Sequence, residues 1–336
     1  MLRRRLLSIP GVVLAAVLLL ALLPFWLPLL AVADLVRAKW RLPLVRLGLF
    51  ALCWSWLETA GVVVAGALWM LGQRRNVAAH YRLQAWWAAS LMAALQLTTG
   101  VKVFTKVDVL AGGRAVVLAR HASLADSLVS AWAITSVARL RPRYVLKKEL
   151  LWDPCLDVVG HRLPNHFLDR EATDAAPELD ALRRLGEGLG ERDVAVIFPE
   201  GTRASPAKRE RALAAIARND PARSERLAAL THVLPPRPAG TLALLDGAAD
   251  ADVVLAWHSG LDGLDTFGGI ARHLAHRPPP VRLAARRVPR TEVPAGDQRA
   301  QWLDDQWLRL DADTAALIAL DRSAGRRPAV WNREWI

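Results

Sequence analysis

Cysteine is scarce: the 336 residues include only Cys53 and Cys155. Two thiols exclude a disulfide scaffold, and no Cys/His cluster has the spacing of a structural zinc site. Glycine (21) and proline (20) are too few for a collagen-like or linker-like chain. Acid is in deficit, with 32 Asp and Glu against 44 Lys and Arg, a formal net charge of +12. Charge itself is modest at 23%, beside 53% hydrophobic residues, which excludes a disordered basic protein. Phosphate-cradling P-loops and the G-x-G-x-x-G fingerprint are missing, as is the Gly-x-Ser-x-Gly elbow of serine hydrolases. Gly186-Glu-Gly188-Leu-Gly190 follows no strand and reads as a helix end. A basic soluble enzyme, a nucleic-acid binder and a membrane-associated protein remain.

The apolar excess gathers at the N-terminus. No charge falls between Leu6 and Ala33, and a second stretch, Gly48–Gly72, is broken only by Glu58. About 20 apolar residues suffice to cross a bilayer. Seven of the 14 Trp lie in the first 87 residues, and Trp favours the bilayer interface. A cleaved signal peptide is the alternative, with Ala31-Val-Ala33 as its cleavage site, but its apolar core would be shorter. Pro24 and Pro28 should kink the first stretch, so a re-entrant hairpin competes with a span. Basic residues flank both stretches (Arg3–Arg5, Arg37 to Arg46, Arg74 to Arg82), so the positive-inside rule gives no orientation. The expected division is a membrane anchor over 1–76, an α/β domain over 77–290 and a helical segment over 291–336.

One more helix is expected over 77–99. Beyond it, short β-branched runs alternate with longer helical ones. Strands are predicted at Val101–Phe104, Ala115–Ala119, Tyr144–Leu146, His166–Leu168, Val194–Phe198, Val253–Trp257 and Val281–Ala284. Helices are predicted at Ser123–Ala138, Pro177–Gly190, Lys208–Asn219 and Gln298–Asp321. This alternation predicts an α/β fold, a mostly parallel sheet flanked by helices, preceded by N-terminal hydrophobic membrane helices.

Four constellations stand out. In the first, His121 and Asp126 are five residues apart, about 140° on one continuous helix, and would not meet there. With His121 on the strand-to-helix loop and Ser123 as N-cap, Asp126 completes a capping box and turns back towards the imidazole. A carboxylate on one ring nitrogen fixes the tautomer and makes the other a base for a hydroxyl. The plainer reading is a capping Asp beside an unrelated loop His. The second is Phe198-Pro199-Glu200-Gly201-Thr202-Arg203, at the sheet edge where α/β proteins bind ligands. Gly201 permits close backbone approach, Arg203 offers a fork for phosphate, and Lys208 adds a second cation. The third, His166 to Arg170, ends in Asp169-Arg170, an anion site or a solvated pair. The fourth, Val233 to Pro238, is a proline-bounded structural turn. The other histidines, His258 among them, are expected to be structural.

In order and spacing these motifs resemble the glycerophospholipid acyltransferase family, of which lysophosphatidic acid acyltransferases are the best-known members, over about residues 80–260. The two hydrophobic stretches and Leu234-Pro-Pro-Arg237 are most similar to the lysocardiolipin-type branch. Lys148-Glu149-Leu150 also fits the family pattern. The chain departs from it at Pro164, where the family usually has Gly, and at His166. The resemblance implies an O-acyltransferase of phospholipid biosynthesis that moves a fatty acyl group from acyl-CoA or acyl carrier protein to a lysophospholipid hydroxyl, foremost 1-acyl-glycerol-3-phosphate. It implies His121 as base and Asp126 as its orienting partner, with amides near Ser123 holding the oxyanion. It places Arg170, Glu200, Gly201, Thr202 and Arg203 at the acceptor, with Glu200 orienting Arg203 or Arg170, and makes Lys148 and Lys208 lesser phosphate contacts. It calls for no cofactor and no metal. The partners are then membrane lipids, acceptor and acyl donor, with no nucleic acid, at the inner face of a cell membrane with the catalytic part cytoplasmic. A different lysophospholipid or an acylated amino-acid lipid is the alternative acceptor, and a non-enzymatic anionic-lipid binder is the reading outside this class.

Overall fold

The computed structural model describes residues 2–170, 174–264 and 266–324. Its contacts form two compact units, each discontinuous in sequence. The first contains Met1–Val101, Leu128–Glu171 and Phe267–Pro278. The second contains Lys102–Ser127, Ala172–Thr266 and Pro279–Ile336.

In the first unit the N-terminal apolar sequence makes α1 (Leu2–Ala21), α2 (Leu23–Val36) and α3 (Pro43–Met70). The expected kink is a break: α1 stops beside Leu22, and Pro24 sits in the opening turn of α2, where its missing N–H costs nothing. Pro28 stays inside α2. Buried Asp34 caps the next helix by accepting the Leu44 and Val45 amides at 2.9 and 3.3 Å. α1 and α3 are long and apolar enough to cross a membrane, and the protein is membrane-associated. The outer faces of α1 and α2 are greasy, with Leu6, Leu14, Phe25, Leu29 and Val36 all exposed.

Their inner faces are built into the unit. α4 (Val77–Thr99) spans the residues expected and lies on α3. After α5 (Asp126–Trp132) and a single π turn come β3 (Arg141–Lys147), α6 (Pro154–Gly160) and β4 (His166–Leu168). Strands β3 and β4 pair in parallel. Glu58 of α3 is fully buried and accepts the Trp87 indole N–H at 3.0 Å and the Cys155 amide at 3.1 Å. Gly61, one turn on, lies so near Cys155 that a Cβ there would come within 2.6 Å of its sulfur. Asp157 of α6, also fully buried, takes Arg4 at 2.9 Å and Arg5 at 3.1 Å. Glu58 within the second stretch and the arginines flanking the first therefore attach them to α4 and α6.

The second unit carries β1 (Val103–Lys106), β2 (Ala115–Ala119), β5 (Asp193–Ile197), β6 (Asp252–Ser259) and β7 (Val281–Val288). Their order is β1-β7-β6-β2-β5. Every β2 residue is buried, as a strand covered on both faces requires. β1/β7, β6/β2 and β2/β5 are parallel, while β6/β7 is antiparallel, so the sheet is largely parallel but mixed. The flanking helices are α7 (Ala176–Gly186), α8 (Pro206–Ala217), α9 (Pro221–Leu227), α10 (Pro238–Gly247) and α12 (Gln298–Ala324); α11 (Phe267–Leu274) belongs to the first unit. Trp331 and Trp335 lie outside the described residues.

Candidate active site

The site sits beyond the C-terminal end of β2, where a strand meets the turn before a helix. Arg120 continues the ladder, its amide donating to Ala256 O at 2.9 Å. Its side chain is buried, and the guanidinium donates to His258 O at 2.7 Å, to His232 O at 3.0 Å and to the Asp262 carboxylate. One arginine thus ties the end of β6 and the turn after it to the loop at His232.

The next residue is His121. Its ring is mostly buried, 4.8 Å from the Phe198 ring, and Nδ1 donates to Asp126 Oδ2 at 2.9 Å. The loop geometry does what one continuous helix cannot: it folds five residues into contact. With Nδ1 protonated, Nε2 carries the free lone pair.

Asp126 is buried and heavily used. Oδ2 also accepts the Ala122 amide at 2.5 Å and the Ser123 amide at 2.8 Å, while Oδ1 accepts the Ser123 hydroxyl. The capping box is therefore only half formed. The helix begins at Asp126, not at Ser123, and the Ser123 hydroxyl accepts the Ala125 amide at 3.1 Å. Burial works to raise the carboxyl's pKa, but His258 and His121 outweigh it and hold the group well below the usual carboxylate range.

His258 is the residue that sequence reasoning missed. It is buried on β6 with Nε2 3.2 Å from Asp126 Oδ1, so two imidazoles face one carboxylate. The separation of 132 positions left no local spacing to read, although a histidine at the end of a core strand was a usable signal.

Glu200 corrects a second expectation. It is buried and takes backbone amides rather than a guanidinium: His121 N on Oε1 at 2.7 Å and Leu234 N on Oε2 at 2.9 Å. Burial pushes its pKa up to about 8, against those two amides and Arg120. A third expectation also changes, because the amides near Ser123 are spent. His121 N goes to Glu200, Ala122 N and Ser123 N to Asp126, Leu124 N to Leu264 O and Ala125 N to Ser123 Oγ. They are not free to hold an oxyanion.

Gly201 has φ +71°, a conformation that suits glycine. A Cβ there would also meet the Arg237 side chain at 3.2 Å, so this arginine from the proline turn lies across the Glu-Gly-Thr-Arg segment. Lys208 Nζ reaches Arg203 O at 3.0 Å and Thr202 Oγ1 at 3.5 Å. Half-buried Arg203 shares this edge. Lys148 and Arg170 belong to the other unit, where Lys148 Nζ pairs with Asp169 at 2.6 Å. Among the described residues no His, Cys, Asp and Glu cluster suits a metal ion.

A carboxylate-held imidazole at a strand's C-terminal edge is an arrangement that can serve as a general base. Residues 100–234 match the family model described as Acyltransferase. The fold is similar to the 1-acyl-sn-glycerophosphate (LPA) acyltransferase PlsC from Thermotoga maritima, with TM-score 0.50 and 14% identity over 80% of this chain and 96% of that one. No curated protein matches the chain in sequence.

Proposed function

We propose that the protein transfers a fatty acyl group from a thioester, acyl-CoA or acyl carrier protein, to the free hydroxyl of a lysophospholipid, with 1-acyl-glycerol-3-phosphate as the acceptor. The observation that carries this is the His121–Asp126 pair at 2.9 Å within the matched domain. The Ser123 hydroxyl, the nearest side-chain nucleophile in sequence, is turned to Asp126, which favours the acceptor's own hydroxyl as nucleophile. His121 Nε2 takes its proton as the oxygen attacks the thioester carbonyl. The tetrahedral intermediate then expels the thiolate, which recovers the proton from Nε2–H. Asp126 stabilises the imidazolium in between.

Arg203, Lys208 and Arg237 supply positive charge for the acceptor phosphate, with Thr202 and Gly201 shaping the turn; Arg170 and Lys148 are further phosphate contacts. Glu200 acts through the backbone. The greasy N-terminal helices keep the domain at a bilayer where lipid acceptor and product reside, and the basic surface suits anionic lipid at about 1 kcal/mol for each Lys or Arg near it. We place the catalytic part on the cytoplasmic side of the inner membrane, where acyl donors are made.

The test is acyl transfer from labelled donor in membranes across a panel of acceptors. His121→Ala and Asp126→Asn should each lose about 10²-fold or more. Wild-type rates in either variant would sink the mechanism, and preference for an acceptor lacking a phosphomonoester would sink the acceptor assignment.

A further inference from the structure

The segment Thr231–Pro236 carries the Leu234 amide to Glu200, and Glu200 holds the His121 amide. What holds that segment lies far along the chain, beyond the residues matched to the family. Asp311 of α12, itself buried, accepts four hydrogen bonds from it. Oδ2 takes Thr231 N at 3.0 Å and Thr231 Oγ1 at 2.9 Å, and Oδ1 takes His232 N at 2.6 Å and Val233 N at 3.0 Å. Seven residues earlier, two turns along the same helix face, Asp304 binds Arg223 through both oxygens at 2.7 and 2.8 Å. Arg223 in turn donates to Pro236 O at 2.9 Å. The two aspartates thus grip both ends of one short segment. A third, Asp321, accepts Arg282 Nε at 2.6 Å and the Ser259 hydroxyl, next to His258. Leu303, Trp307 and Leu310 are fully buried and seat the helix.

We infer that α12 is a clamp for the catalytic loop, and that Asp311 is its positioning residue, acting on His121 through Leu234 and Glu200. A carboxylate collecting three successive amides fixes a backbone that proline at 235 and 236 already restricts. The relay then sets where the His121 backbone, and so its ring, stands. That this matters for turnover rests on the function proposed above; that it holds the loop does not.

The experiment uses the full chain in detergent and reads two quantities: amide hydrogen exchange and acyl transfer. Asp311→Asn places an amide NH₂ against N–H donors without changing size. Exchange is expected to quicken at 231–234 and also at 119–123, with turnover down at least about tenfold. Leu317→Ala, a buried position of α12 away from the segment, is the control for helix destabilisation. Below its own melting transition it should leave exchange at 119–123 and turnover near wild type. Thr231→Val, which deletes one bond of the four, should shift both readouts less in the same direction and serves if Asp311→Asn does not fold. The inference is overturned if Asp311→Asn, or in its place Thr231→Val, folds with unchanged exchange at 119–123. It is equally overturned if Leu317→Ala reproduces the full pattern. A wild type that transfers no acyl group to any acceptor defeats the proposed function, while the exchange data still decide the clamp.

Discussion

Asp126 spends its two oxygens on His121, on His258 and on the loop between them. Removing His258 leaves the dyad intact but takes away the neighbour that favours the anion. His258→Gln should therefore lower kcat about tenfold, well short of the loss on removing the base, with acceptor KM within about twofold; steady-state kinetics on membranes checks both. Glu200 gives a pH signature. Burial raises its folded pKa to about 8, above the ordinary value of 4.5, so the folded protein binds the extra proton. Stability from this group is then complete below the unfolded pKa and falls as pH rises from about 4.5 to 8, flattening beyond. Thermal melts should show that slope, and Glu200→Gln should flatten it. The same variant leaves one of two amides facing an NH₂, at about 1–3 kcal/mol.

Elements differ in how legible they were. β2 and β4 coincide with the expected runs because each is bounded by turn chemistry on both sides. β1 begins two residues late, and β7 runs on through Arg286 and Arg287, whose charges broke the apolar pattern. α6, α9 and α10 went unread. Each is ten residues or fewer and opens on proline (Pro154, Pro221, Pro238), which signals a loop as strongly as a first helical turn. At the site, His121 and Asp126 were readable because five residues separate them. Asp304 and Asp311 were not, and His258 showed only as a histidine closing a core strand, because only the packing of β6 and α12 brings them to the loop. The α3–α6 contact offers a test at this scale. Gly61→Ala should cost about 1–3 kcal/mol by overpacking against Cys155. Cys155→Ala should recover much of it, a coupling that a double-mutant cycle in urea would measure.

The molecule as a whole pairs a greasy outer surface with surplus positive charge. Phe25 and Leu29 are 71% and 67% exposed, on the face of α2 that the unit leaves bare. Phe25→Glu with Leu29→Glu should weaken co-sedimentation with anionic vesicles by about 3 kcal/mol or more, from lost apolar burial. The wild type should stay partly bound at salt concentrations that screen its basic residues. Binding that vanished in salt would assign membrane affinity to charge alone.

The contact of Arg4 and Arg5 with Asp157 has a consequence for biosynthesis. The partners stand 153 and 152 positions apart. At a synthesis rate of about 5–20 residues per second, the first helix, which ends at Ala21, is complete roughly 7–27 s before the aspartate that receives its arginines has been made. Through that interval the nascent helix has two unneutralised cations and a bare apolar flank, features that both suit a lipid surface. Docking onto α6 can only begin after that interval. A chain lacking the aspartate would reach the bilayer on schedule but fail to close around its own N-terminus.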